Sequence, residues 1–477
     1  MSAILRLSSR MPAVKVGATS ARRGLASVTN FESKFIRTET TSLANGVTVA
    51  SETIPSAKTA TVGVWIESGA RSDNEYTNGT ANYFEHLIFK GTSTRSQAQL
   101  ESEIETIGAQ LTAETKRESS AFYAKSLKED VPKTVEIIAD ALTNAKFEDA
   151  AIDAQRKAVI AQADDANKSY KDIVLDHLHA VAFQGQPLGQ NTTGPVANIE
   201  SITKTELTNY VKKNIKADRV VLVGAGAVEH EELVKLAEQY LASLPASTTS
   251  TAPGAGSRHP SDTSSFVGSE VRLRDDTIPS AHIAIAVEGV SVSSPDYYTA
   301  QVAKAVIGNW NVASSTANDQ GNKLSSIVSQ NHLADSFESF SFSYNDTGLW
   351  GIYLDSHNVT NLDDLVHFAL KEWNRLAVSV TPAEVERAKA QLKTSLLLDL
   401  KTPTEIANDI GSQIVATGRR QSAQEIERNI DAISEKDIKA WAHKYLWDKD
   451  VAIAAFGSTE GILDYQRIRN EMSLMRW

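Results

Sequence analysis

Along most of this chain the apolar positions either recur at spacings of three and four or run together in short stretches, and each pattern predicts a different element. Val47-Thr48-Val49-Ala50 and Thr61-Val62-Gly63-Val64-Trp65-Ile66, with a turn at Ile54-Pro55-Ser56 between them, predict a strand hairpin. Leu100, Ile104 and Ile107 predict a helix stopped at Gly108. Residues 109–113 and 121–127 read as strands, with Lys116-Arg117-Glu118 between them. Pro132 suits the start of the next helix, whose buried stripe is Val135, Ile138, Ala139 and Leu142. Helical spacing continues over 149–166 and 170–183. Val220 to Val223 is a buried strand, and Glu231 to Leu244 a helix.

The pattern then breaks and restarts. Residues 245–265 contain almost no large apolar side chain and are rich in Ser, Thr, Pro and Gly, the composition of a linker. Beyond it, Thr277-Ile278-Pro279-Ser280-Ala281 repeats Thr53-Ile54-Pro55-Ser56-Ala57 at an offset of 224 residues, and each copy enters an apolar strand. Both strands lead through a polar stretch into a helix, here 295–307. Strands at 336–344 and 349–354 follow, then helices near 361–377, 382–399, 404–417, 423–430 and 435–446, and a last strand at 451–455. Two similar halves of strands and sheet-covering helices predict two α+β domains. Their expected limits are 26–244 and 266–477.

Composition narrows the function classes. No run approaches 18 apolar residues, so the sequence predicts no membrane-spanning helix. With no cysteine there is no disulfide, thiolate metal site or cysteine nucleophile. A net charge of −11 argues against a nucleic-acid partner, which needs a basic footprint. The first residues differ from the rest: Arg6, Arg10, Lys15, Arg22 and Arg23 precede the first acid, Glu32. Residues 1–25 therefore read as a mitochondrial transit peptide, amphipathic, arginine-rich and acid-poor. Removing it takes the net charge from −11 to about −16.

The candidate chemistry lies in the stretch 79–92, GTANYFEHLIFKGT. It predicts a short helix closed at Lys90-Gly91. Asn82, Glu85 and His86 stand at i, i+3 and i+4 and share one face. A histidine at 82 would complete H-x-x-E-H, in which two imidazoles clamp zinc and the carboxylate works on its water. The first histidine is replaced by Asn82. Elsewhere, His177-x-His179 places two histidines in different directions on a helix, and Val223-Gly224-Ala225-Gly226-Ala227 reads as a close-packed strand end rather than a dinucleotide loop.

Ser68-Gly69-Ala70-Arg71, Gly79-Thr80-Ala81, Glu85-His86 and Phe89-Lys90-Gly91-Thr92 resemble the metal-site region of the pitrilysin-type metallopeptidases. That family includes the mitochondrial processing peptidases and the core proteins of the cytochrome bc1 complex. Asp346-Thr347-Gly348-Leu349-Trp350-Gly351-Ile352-Tyr353 and the terminal 464–477 resemble its β-type, first-core-protein branch. The resemblance runs from about residue 38 to the end of the chain. It implies two α+β halves facing each other across a cleft, each built on an antiparallel sheet covered by helices.

The resemblance also implies where the rest of the zinc set falls. Anchoring on Asp176-His177-Leu178-His179-Ala180 and counting back puts Gln162 at the family's third ligand, a glutamate, and Gln155 at a second, supporting glutamate. These glutamines are two helical turns apart and face the same way. Amide oxygens suit zinc poorly beside imidazole and carboxylate. The expectation is therefore no metal and no cofactor, a vestigial Glu85-His86 pair beside Asn82, Gln155 and Gln162, and no enzyme activity. What is implied instead is a structural subunit of core-protein type in the ubiquinol–cytochrome c reductase, peripheral on the matrix side of the inner mitochondrial membrane. Its implied partners are a second core protein, cytochrome b, cytochrome c1 and the small subunits. The alternatives are the β subunit of a processing peptidase and an inert presequence-binding partner.

Overall fold

The computed structural model describes residues 37–166, 168–247, 263–314 and 321–473, which lie in one compact unit. The expected transit peptide, most of the expected linker and residues 474–477 lie outside the described residues.

The first half contributes β1 (Glu39–Ser42), β2 (Thr48–Thr53), β3 (Thr59–Ile66), β4 (Gln110–Thr115), β5 (Ser120–Leu127) and β6 (Val220–Gly226). They form one sheet in the order β1-β2-β6-β3-β5-β4. The second half contributes β7 (Glu270–Arg274), β8 (Ala281–Glu288), β9 (Asn309–Asn311), β10 (Ser336–Ser343), β11 (Gly348–Ser356) and β12 (Ala452–Gly457), in the order β7-β12-β8-β11-β10-β9. The α+β class and the two halves are as expected. The sheets, however, are mixed rather than antiparallel, because β2 pairs parallel to β6 and β7 parallel to β12.

The expected hairpin of β2 and β3 does not form. β6 inserts between them, parallel to β2 and antiparallel to β3. Every residue of Val220–Gly226 is buried, so this strand needs partners on both edges. Local pattern predicts that a strand exists and leaves its partner open. The same arrangement recurs in the second half, where β12 inserts between β7 and β8. The repeated Thr-Ile-Pro-Ser-Ala segments thus join topologically equivalent strands.

Alternate residues of β3 and β6 serve different cores. Val62, Val64 and Leu222 pack with Phe84, Phe122, Val135, Ile138 and Leu233, under helices of the first half. Trp65, Val221 and Val223 pack instead on Ile406, Ile410 and Ile414 of the Pro403–Thr417 helix, which the chain reaches between β11 and β12 of the second sheet. At the strand end, a Cβ on Gly224 would lie 2.9 Å from Leu233, in keeping with a close-packed role.

The exchange is reciprocal. In the first half α1 (Thr80–Leu87), α2 (Gln97–Ile107) and α3 (Val131–Asn144) are followed by α4 (Asp149–Ala166) and α5 (Tyr170–Ala182). Val174, Leu178 and Ala182 of α5 pack on Ala284, Ala286, Phe340, Tyr353 and Ala454 of the second sheet. Each sheet is therefore covered on one face by a helix from the other half.

His179 lies within that contact. Its Nδ1–H donates to the Leu175 carbonyl, 2.6 Å away, and its Nε2 accepts from the Tyr344 hydroxyl at 2.7 Å. Burial, with Arg117 nearby, pushes it down from 6.5 to about 3. The histidine is neutral in the native protein, whereas the unfolded chain takes up a proton near 6.5. Its contribution is present above that pH and is lost as pH falls from about 6.5 towards about 3. His179→Gln, which keeps a donor and an acceptor, is expected to reduce the slope of stability in this range by about 1.4 kcal/mol per pH unit. Urea unfolding of both proteins at a series of pH values measures the difference. Parallel curves would contradict the assignment.

Candidate functional site

The site is built on α1, whose start is set by two residues outside the helix. Gly79 has φ +102, and a Cβ there would lie 2.8 Å from the Thr193 carbonyl. Asp73 accepts hydrogen bonds from the Gly79 and Ala81 backbone N–H groups, each at 3.2 Å, and so caps the helix. Burial pushes its carboxyl up to about 7. The helix ends at Leu87, earlier than expected, and Lys90 N bonds to Leu87 O in the closing turn. Phe84 and Leu87 enter the first core. The Tyr83 hydroxyl donates to the Ile152 carbonyl at 2.6 Å and ties α1 to α4.

That tie brings three of the five expected side chains together across 80 residues of sequence. His86 Nε2 lies 2.7 Å from Gln162 Oε1, and Asn82 Nδ2 donates to the same oxygen at 3.3 Å. The Gln162 carbonyl accepts from both, so the imidazole nitrogen facing the group's centre carries a proton rather than a free lone pair. Asn82 is buried, His86 half-buried and Gln162 exposed. Gln155 sits half-buried two turns earlier on α4, and among the described residues no hydrogen bond joins it to the other three. Glu85 turns towards β4. Burial raises its pKa, while hydrogen bonds from Thr115 and the nearby His86 oppose the shift.

Zinc is the metal that the resemblance implies here, and the donors do not fit it. A catalytic zinc takes three protein ligands from imidazole, carboxylate or thiolate, plus water. This cluster offers one protonated imidazole nitrogen and two neutral amides already bonded to one another. Among the described residues no group of three His, Cys, Asp or Glu converges to hold a metal.

Sequence reasoning missed the residues that support this arrangement. Asp73 and Tyr83 carry no motif; they became legible only once α1 and α4 were packed. Arg71 and Asp346, each inside a stretch that resembles the family, form a bidentate pair at 2.6 and 2.7 Å across 275 residues of sequence. His177 and His179 do not converge on a metal, since His179 is engaged with Leu175 and Tyr344.

Comparison with known proteins identifies the lineage. Residues 48–196 match the profile described as Insulinase (Peptidase family M16), and residues 201–392 that described as Peptidase M16 inactive domain. The chain belongs to peptidase family M16. It is 54% identical to the mitochondrial-processing peptidase subunit beta of Neurospora crassa, over 95% of this chain and 94% of that protein. The corresponding subunit of Saccharomyces cerevisiae is 44% identical over 91% of this chain and 94% of its own. A chain of the Candida albicans complex III2 structure, with Inz-5 bound, superposes with a TM-score of 0.81 at 34% identity. That match covers 91% of this chain and all of the other.

These M16 relatives overturn the expectation that the chain is not an enzyme. Proteins 44% and 54% identical to it along nearly its whole length are named subunits of a peptidase. The expectation rested on a donor count at three positions. Such a count bears on the affinity of one site for one metal; it does not decide the activity of a chain whose relatives are peptidase subunits.

Proposed function

We propose that this chain is the β-type M16 subunit of a complex III assembly, at the position of core protein 1 of the ubiquinol–cytochrome c reductase, on the matrix face of the inner mitochondrial membrane. The observation that carries the reading is the full-length match to a complex III2 chain. The arginine-rich, acid-free residues 1–25 supply a matrix address. Halves limited by 26–244 and 266–477, joined by a 245–265 linker, complete the proposed organisation.

Attachment follows from charge and hydropathy. No helix among the described residues is long and apolar enough to cross a membrane. After loss of the first 25 residues the net charge of about −16 is repelled by anionic lipid. Protein contacts therefore hold the chain: a second core protein of the same fold, with cytochrome b, cytochrome c1 and the small subunits beside it. Permanent contacts of this kind bury more than about 2,000 Å² around an apolar centre.

Such an interface resists salt, because screening weakens exposed charges and leaves apolar burial intact. Inner membranes solubilised in mild detergent at high ionic strength are expected to yield the chain in a particle that carries b- and c1-type haem. A second reading, the β subunit of a processing peptidase, is favoured by the names of the Neurospora and Saccharomyces relatives. Recovery as a haem-free heterodimer with an α-type subunit, cleaving presequence peptides, would replace the first reading with the second.

A further inference from the structure

The turn between β10 and β11, residues 344–347, reaches out of the second half and lies against the first. There Arg71 sits between two acids. Its Nη1 bonds Glu118 Oε1 at 2.6 Å and Asp346 Oδ1 at 2.7 Å, and its Nη2 bonds Asp346 Oδ2 at 2.6 Å and Ser264 Oγ at 2.8 Å. Ser264 N donates to Asp346 Oδ2 at 2.6 Å, and Asn345 N to Glu118 Oε2 at 3.0 Å. The Arg71, Glu118 and Asp346 side chains are 11%, 18% and 6% exposed, so salt screens them little. Burial would raise Asp346, but the bonds from Arg71 and Ser264 hold it below the usual carboxylate range; burial leaves Glu118 raised.

The loop that carries Glu118 is itself tied to the segment that carries Arg71. Ala70 N bonds Lys116 O at 3.1 Å, and Arg71 N bonds Arg117 O at 2.7 Å. One residue before Lys116 is Thr115, the end of β4 and the hydrogen-bond partner of Glu85. A continuous run of polar contacts thus leads from the turn of the second half to the candidate site of the first.

We propose that residues 344–347 are a releasable strap, latched by Arg71 to Asp346, which holds the 116–119 loop and the end of β4 in place beside Glu85. The charge arrangement is that of a latch rather than a weld. When Asp346 leaves, Arg71 keeps Glu118, so no bare cation remains buried, and Asp346 returns to water. The exchanged helices, 170–182 and 403–417, keep the two sheets together by apolar burial in either state, and the Tyr344 hydroxyl stays on His179. Release therefore swings residues 345–347 about Tyr344 and loosens the loop without moving the halves. The inference is independent of the assembly the chain enters.

Hydrogen exchange read by mass spectrometry on the full chain, wild type against Asp346→Asn, tests it. The substitution keeps the shape and removes the charge that holds Arg71. Amides of 344–347 and of 115–119 are expected to exchange at least about tenfold faster together, with α5 and the 403–417 helix unchanged. Acceleration confined to 344–347, or no change, would overturn the proposal, because the strap would then position nothing in the first half. Should Asp346→Asn unfold the protein, so that every segment exchanges, Ser264→Ala decides. It removes one bond from Arg71 and leaves both charges, and a smaller rise in the same two segments is expected. A rise limited to the residues around 264, or none, would equally overturn the proposal.

Discussion

Asn82→His combined with Gln162→Glu is expected to raise zinc affinity by several orders of magnitude over the unaltered chain. The side chains already converge: Gln162 lies 2.7 Å from His86 and 3.3 Å from Asn82, so new ligands at these positions would meet without backbone movement. Zinc held by four ligands is worth about 10–16 kcal/mol, or roughly 3 kcal/mol and a hundredfold for each ligand restored. A carboxylate at 162 is still an acceptor for His86 Nε2–H, so zinc must displace that proton on binding, and the affinity of the double variant is expected to rise with pH. Competition with a zinc-binding dye gives the affinities, and His86→Ala in the double variant should abolish the gain. Tight binding by the unaltered chain, or no gain in the double variant, would show that the amide cluster is not what limits the metal. The supporting position, Gln155, is expected to add little, since it bonds to none of the three.

Gly411→Ala should destabilise the protein, against the usual sign. In a helix interior this change ordinarily stabilises by about 0.5–1 kcal/mol, because glycine loses the most backbone freedom on folding. Here a Cβ would lie 2.4 Å from the Trp65 ring. The ring is 2% exposed and stacks on Tyr123 at 5.8 Å, so it has little room to yield. Overpacking of this kind costs about 1–3 kcal/mol, and Gly411→Val more. Because Trp65 belongs to β3 and Gly411 to the helix that crosses from the other half, the loss also measures the docking of one half on the other. Trp65→Leu should relieve the clash, giving a favourable coupling in a double-mutant cycle. Denaturant midpoints provide the four stabilities. A stabilised Gly411→Ala would refute the packing argument.

Most of the elements, and the residue types at the candidate site, can be read from local sequence. Spacing of apolar residues is a local property, so α2, with Leu100 and Ile104 buried and Gly108 closing it in the left-handed region, was legible from eleven residues. So were the strands now called β5, β8 and β11, the repeated Thr-Ile-Pro-Ser-Ala segments, and the face shared by Asn82, Glu85 and His86. The parallel pairing of β2 with β6 was not legible. Strands buried on both faces lose the alternation that would indicate a partner, and their register is settled by neighbours more than 150 residues away. Tertiary structure alone decided that Gln162 reaches His86 while Gln155 does not join them, because that depends on the angle at which Tyr83 holds α4 against α1. It decided the helix exchange, since a stripe of Ile406, Ile410 and Ile414 records that a face is buried but not which sheet buries it. It also decided the meeting of Arg71 with Asp346. A charged side chain looks the same in sequence whether it ends in water or in a partner's fork; only folding brings two such groups within 2.6 Å and removes the water between them.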